Sequence, residues 1–254
     1  MLIKLGRSLF GIAIAFFGIQ HFIYMLNVKG PIAGPPWIVG RPFWAYLMGA
    51  VLVIAGVSIV ARVKVRLAGI SLAALLFLYV LFLYVPGLLT HIHDPGRWTS
   101  AAELVAMSGA AMVLAGSNGI ERTHRPSNSI TNDIGRLLFA IPFVVFGIQH
   151  LLYANFVAML VPSWIPGHLF WAYFIGIAFI AASLSMATKI KVQWAATLLG
   201  IMFCLFVITL HTPRIAGAVH NGNEWTSGFV ALAMAGGAFV VAGVFNGAFS
   251  MRSK

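Results

Sequence analysis

The chain has 254 residues, of which 61% are hydrophobic and 8% charged, with a mean hydropathy of +0.96. A soluble domain carries about 25% charged residues, so the composition excludes a chain that stays in water by its own surface. The 16 Lys and Arg against 5 Asp and Glu are therefore topogenic charge beside anionic lipid, and no nucleic-acid partner is implied.

A spanning helix needs about 20 mostly apolar residues. Eight segments meet that requirement: 6–26, 42–61, 66–86, 98–117, 135–154, 169–187, 192–212 and 225–246. The runs are continuous instead of alternating, which argues against a membrane barrel. The first run follows MLIKLGR and resembles a signal peptide. Its counterpart recurs at 135, in mid-chain, so it reads as the first helix. Cys204 sits in the apolar run MFCLFV. One thiol excludes an internal disulfide or a dithiol relay, and a buried, inert group is the expectation.

The recurrence covers nearly the whole chain. GRSLFGIAIAFFGIQHFIY (6–24) aligns with GRLLFAIPFVVFGIQHLLY (135–153), and from the next loop onward an offset of 127 holds without a gap. PPWIVGRPFWAY (35–46) meets PSWIPGHLFWAY (162–173), Pro86 meets Pro213, His93 meets His220, and Trp98-Thr99-Ser100 meets Trp225-Thr226-Ser227. The expected fold is an all-α integral membrane protein with eight transmembrane helices in two parallel four-helix repeats. The units are 1–117, a linker at 118–134, and 135–254. An even number of crossings per unit gives both copies one orientation, related by an axis along the membrane normal.

Of the 16 cations, 12 fall on the side of the two termini; Lys29, Arg41, Arg97 and Arg214 are the others. The positive-inside rule then makes both termini cytoplasmic in a multi-pass protein of the cell membrane, the inner membrane in a bacterium. Seven of the eight histidines collect at the opposite, outward end; His124, in the linker, is the exception.

The FGIQH motif occurs at 17–21 and again at 146–150. An unpaired polar group in hydrocarbon costs roughly 2–7 kcal/mol, so Gln20, His21, Gln149 and His150 must face a partner or a wet cavity. They read either as polar caps at headgroup level or as ligand-binding groups. His21 with His93, and His150 with His220, are the preferred constellations. Glu103 lies inside the fourth span, where its counterpart is Val230. A carboxylate there is a candidate catalytic or proton-handling group, with His91, His93 or His21 as partner and Arg97 as the structural alternative. His91-Ile92-His93 has the spacing of a metal clip in an extended segment, but the second copy keeps one of the two histidines and no metal site is assigned. Trp37, Phe43–Tyr46, Trp164 and Phe170–Tyr173 read as an aromatic belt, with a slot for a flat ring as the alternative. Gly109, Gly116, Gly236 and Gly243 favour close helix packing.

These residues resemble a family. An FxGxxH ending on the first helix, loops with Pro-Pro-Trp-Ile and Pro-Ser-Trp-Ile, a second helix with aromatic-Ala-Tyr and Gly, and a small-residue fourth helix look like the DoxX-like membrane family. That family includes the DoxD-type subunit of thiosulfate:quinone oxidoreductase. The similarity covers 6–117 and 135–246, with the four-helix unit present twice. It implies a membrane component of a redox or stress-related assembly beside partner subunits, with His21 and His150 as the motif histidines. The functional expectation is a redox-associated subunit holding a quinone, or haem, near the outer face through His21, His93, His150 and His220. The alternatives are a non-enzymatic assembly subunit and, third, a small-molecule transporter. The apolar midplane, broken only by Pro142, lowers the last.

Overall fold

The computed structural model describes residues 1–27, 41–123 and 130–246, and among them there is no strand. Eight helices are long and apolar enough to cross a membrane: α1 (Leu2–Ile23), α2 (Pro42–Val60), α3 (Val65–Thr90), α4 (Pro95–Ser117), α5 (Ile130–Leu152), α6 (His168–Thr188), α7 (Val192–Gly217) and α8 (Gly222–Val244). The chain is an all-α, multi-pass membrane protein. The loop carrying Trp37 and the linker histidine His124 lie outside the described residues.

Two boundaries differ from the sequence reading, each for a physical reason. First, α3 and α7 do not stop near their prolines but run on to Thr90 and Gly217. Proline lacks an N–H and its ring collides with the carbonyl four residues back. Here a wide π-turn, Val80–Tyr84 in α3 and Val207–His211 in α7, comes just before Pro86 and Pro213 and absorbs both defects. Second, the ends of the 118–134 linker are helical, because α4 continues as helix to Thr123 and α5 begins at Ile130. Asn132 and Asp133 of that polar stretch are fold residues, one buried and one in ion pairs. α5 is interrupted at Ile141 ahead of Pro142, whereas α1 runs unbroken.

Sequence neighbours pair as α1 with α2, α3 with α4, α5 with α6 and α7 with α8; α4 also packs on α5, α8 on α1, and α4 meets α8 in the centre. The two copies therefore interlock, since the fourth helix of each lies against the first helix of the other. Both crossings are glycine to glycine. A methyl at Gly6 would stand 2.5 Å from the Gly236 carbonyl oxygen, and one at Gly109 would stand 2.6 Å from that of Gly135. In lipid no hydrophobic drive separates helix from solvent, so such close backbone approach supplies much of the association.

At the terminal end, the turns α2–α3 and α6–α7 repeat an unusual backbone. Arg62, Lys64, Lys189 and Lys191 all have positive φ, at 62°, 47°, 62° and 51°. Left-handed geometry costs an ordinary residue roughly 1–2 kcal/mol. Arg136 is buried and donates to the carbonyls of Met186 and Ala187, covering the last turn of α6. Arg7, its counterpart, is buried as well. Cys204 is only half-buried, on α7, against the expectation of full burial.

Gly109→Ala and Gly236→Ala each place a methyl into backbone, and each should cost roughly 1–3 kcal/mol of stability. Gly217→Ala, where nothing lies within 4 Å, should be neutral. Thermal unfolding in detergent compares the three. Equal midpoints would remove the crossings as the basis of the assembly.

A candidate site at the far end of the helices

The glycine crossings determine what the FGIQH motifs meet. Fourteen residues separate Gly6 from Gln20 and fourteen separate Gly236 from Gly222, a rise of about 21 Å on each helix. Antiparallel helices in contact at the glycines therefore bring Gln20 opposite the start of α8. There the Gln20 amide donates to the Thr226 hydroxyl at 3.0 Å and to the Gly222 carbonyl at 3.4 Å. The second copy repeats the arrangement. Gln149 donates to the Pro95 carbonyl at 2.9 Å and accepts from the Thr99 hydroxyl at 2.9 Å. Both glutamines bind across the copies, so their polar atoms are engaged within the protein.

The histidines of the motif serve their own helices. His21 Nδ1 lies 2.7 Å from the Phe17 carbonyl and His150 Nδ1 lies 2.8 Å from that of Phe146. A carbonyl only accepts, so Nδ1 carries a proton and donates in each copy. His21 packs on Gly49 of α2, and His150 packs on Gly176 of α6 with its ring nearly perpendicular to that of Phe179. The two rings face different helices and do not bracket a common ligand.

His93 stands in the turn before α4, beside Gln149 and Tyr153 of the other copy. His21 does not line the cavity at His93, and these residues beside it come from the other copy, as the interlocked packing requires. His220 occupies the exposed turn leading into α8, next to the helix start that receives Gln20. The His91-Ile92-His93 segment is a turn and not an extended strand, and His91 Nδ1 lies 2.8 Å from Thr90 Oγ1. The geometry of a two-histidine clip is therefore lost.

Glu103 is partly buried on α4, facing α3. Its neighbour is Tyr84, the last residue of the first π-turn, which also interacts with Ser100. None of His91, His93 and His21 pairs with Glu103 among the described residues. Arg97 does not either, because its guanidinium binds Asp94 at 3.1 Å. Asp94 also accepts from the Gly96 and Arg97 amides, and these bonds, the Arg97 amide first, hold its carboxyl below the usual range. The equivalent place in the second copy is built differently. His211 replaces Tyr84, its buried Nδ1 has no hydrogen-bond partner, and Arg214 grips Glu224 at 2.8 and 2.9 Å. In the first copy Arg97 takes the position of Glu224, and its guanidinium rests over Gly87, the position of Arg214.

The asymmetry continues in the crossings. Between α1 and α8, Phe16 stacks on Phe229 at 3.6 Å and lies 5.8 Å from Trp225. Between α5 and α4 the same positions are Val145, Ala102 and Trp98. Two rings are missing, and a cavity of about 330 Å³ opens there, lined by His93, Trp98, Gln149, Tyr153, Val145 and Ile148 among others. Trp98 Nε1 donates to the Ile92 carbonyl and Gln149 is engaged as above. His93 and Tyr153 make no hydrogen bond among the described residues, which leaves two donors free at an apolar wall. Glu103 does not line this cavity.

Sequence reasoning missed Thr99, Thr226, Tyr84 and Tyr153. The signal for the threonines was available, since they recur in register with the only glutamines of the motif. No comparison with family models, curated proteins or solved structures gives a match.

A double-mutant cycle on Gln20→Leu and Thr226→Val, and another on Gln149→Leu and Thr99→Val, should each return a coupling of about 0.6–1.7 kcal/mol, the range for hydrogen bonds between membrane helices. Zero coupling in both would make these bonds incidental.

Proposed function

We propose that the chain is a redox-associated membrane subunit that holds a quinone head group in the α4–α5 cavity, with the terminal end in the cytoplasm and the cavity outward. The observation that carries this reading is the apolar cavity with two unspent donors. At about 330 Å³ it falls at the small end of the roughly 300–1,000 Å³ of ligand pockets. A quinone presents two carbonyl acceptors on a flat apolar ring, which suits the His93 N–H, the Tyr153 O–H and the face of Trp98. Its isoprenoid tail leaves through the open mouth toward lipid. The resemblance to the DoxX-like family, with its quinone-linked member and partner subunits, supports the same reading. Haem is less well served, because His21 and His150 face separate helices. Of the histidines expected to bind, His93 is the one at this cavity.

The experiment is purification in mild detergent followed by lipid extraction and mass spectrometry. Wild type should retain quinone. Val145→Phe supplies the ring that the α1–α8 crossing already has, and should empty the cavity while leaving thermal stability unchanged. His93→Leu should weaken retention about five-fold, the worth of one ordinary hydrogen bond. His150→Leu should leave retention unchanged. Retention that ignores Val145→Phe, or no quinone in wild type, would leave the non-enzymatic assembly subunit standing, the reading favoured by glutamines that serve only the fold.

The orientation has its own test. Single cysteines at positions 93 and 220, in a Cys204→Ser background, should react with an impermeant reagent added outside intact cells, and cysteines at 64 and 191 should not. The reverse pattern would turn the protein over.

A further inference from the structure

At the terminal end the second copy places an acid among its cations. Asp133, at the start of α5, binds Lys189 at 2.8 Å and Arg136 at 3.5 Å, tying the first helix of that copy to the turn after its second. The first copy has the same backbone, including the left-handed pair Arg62 and Lys64 in the place of Lys189 and Lys191. In charge, its side chains differ at two of these positions. Lys4 stands where the second copy has Asp133, and Arg66 stands where it has Gln193. Lys4, Arg62, Lys64 and Arg66 are all exposed, and none of their side chains has a hydrogen bond or ion pair among the described residues.

Three of the four share the α2–α3 turn and the start of α3, and helix register brings the fourth to their level. α1 lies along α2 through Gly11, whose added carbon would meet Val60 and Ile59, so Lys4, two turns before Gly11, stands beside the turn that carries Arg62 and Lys64. Like charges gathered together repel. The positive-inside rule accounts for cations at this end, but it holds equally for the second copy, which pairs two of its own with Asp133. Beneath the cluster the surface is apolar. Leu5, Val60, Val63, Leu67 and Ile70 are exposed at 44%, 40%, 56%, 60% and 45%.

We propose that the cluster Lys4, Arg62, Lys64 and Arg66 binds the phosphate of an anionic phospholipid whose acyl chains run along Leu5, Val63 and Leu67. A free phosphate would use the cations and leave the apolar strip idle. The strip directly below the charges selects an amphipathic ligand.

The test is native mass spectrometry of the full chain, released from detergent with phosphatidylglycerol, with phosphatidylcholine, or with inorganic phosphate added alone. Wild type should retain phosphatidylglycerol at least ten-fold better than phosphatidylcholine. Arg66→Gln and Lys4→Asp install residues that the second copy already carries, so the fold tolerates them. Arg66→Gln should reduce retention roughly five-fold, the effect of one cation near an anionic headgroup, and Lys4→Asp roughly 25-fold, since it removes one cation and neutralises another. Lys191→Gln in the second copy should change nothing. Equal losses from Lys191→Gln and Arg66→Gln would overturn the site, as would no preference for phosphatidylglycerol. Inorganic phosphate that displaces the lipid at equal concentration would assign the cluster to a soluble anion instead.

Discussion

The depth at which two glycine crossings lock the helices decides most of what is found elsewhere. Gly6 meets Gly236 and Gly109 meets Gly135, and these contacts join helices of different copies. In a bilayer, where lipid tails are as apolar as leucine, an interface gains little from burial and must gain from close packing and hydrogen bonds. The glycines supply the first and the glutamines the second, and one register serves both. A slip by one residue turns Gln20 by about 100° around α1 and carries it off Thr226. The glycine contact and the glutamine bond therefore reinforce one another, and each would be weaker without the other.

That coupling also explains which parts of the two copies differ. At the glutamines and glycines a change in one copy would be felt by the other, and the same residues stand in both. Away from the crossings the copies part. Phe16 and Phe229 fill one crossing while Val145 and Ala102 leave the other open. Arg214 reaches Glu224 on one side, while Arg97 lies over Gly87 on the other. The last pair is a coordinated exchange: a guanidinium occupies one region in both copies but is supplied from opposite helices. Gly87 is small because Arg97 needs its space.

Much of the fold was legible in the sequence. Lipid demands length and apolarity, and those can be counted directly, so eight spans and their order follow. The internal repeat was legible for the same reason, since a constant offset needs no structure to see. The partners of the polar residues were not. His93 was matched to His21 because they share a repeat, whereas α4 leans on α5 and brings His93 to Gln149 and Tyr153. Nothing in a linear sequence says whether duplicated bundles stand side by side or exchange their fourth helices. The π-turns were hidden too: Pro86 and Pro213 signal a helix end, and here the helix widens and continues. The cavity was invisible because it is made of absent rings, and absence is read only after the opposite crossing shows what could stand there.

Duplicated polar residues in a membrane protein invite a functional reading, because each is expensive to keep. The expense is met here in a different way for each residue of the motif. Gln20 and Gln149 spend their amides on the opposite copy, and His21 and His150 spend Nδ1 on a carbonyl one turn back. What remains of the motif is the Nε2 of each imidazole, whose ring the Nδ1 bond orients. Repetition therefore marks the residues that hold the molecule together, and a ligand is better sought where repetition fails. It fails at the α4–α5 crossing and at the α2–α3 turn. At the crossing, Val145 and Ala102 stand where the other pair of helices has Phe16 and Phe229, and at the turn the first copy carries Lys4 where the second has Asp133.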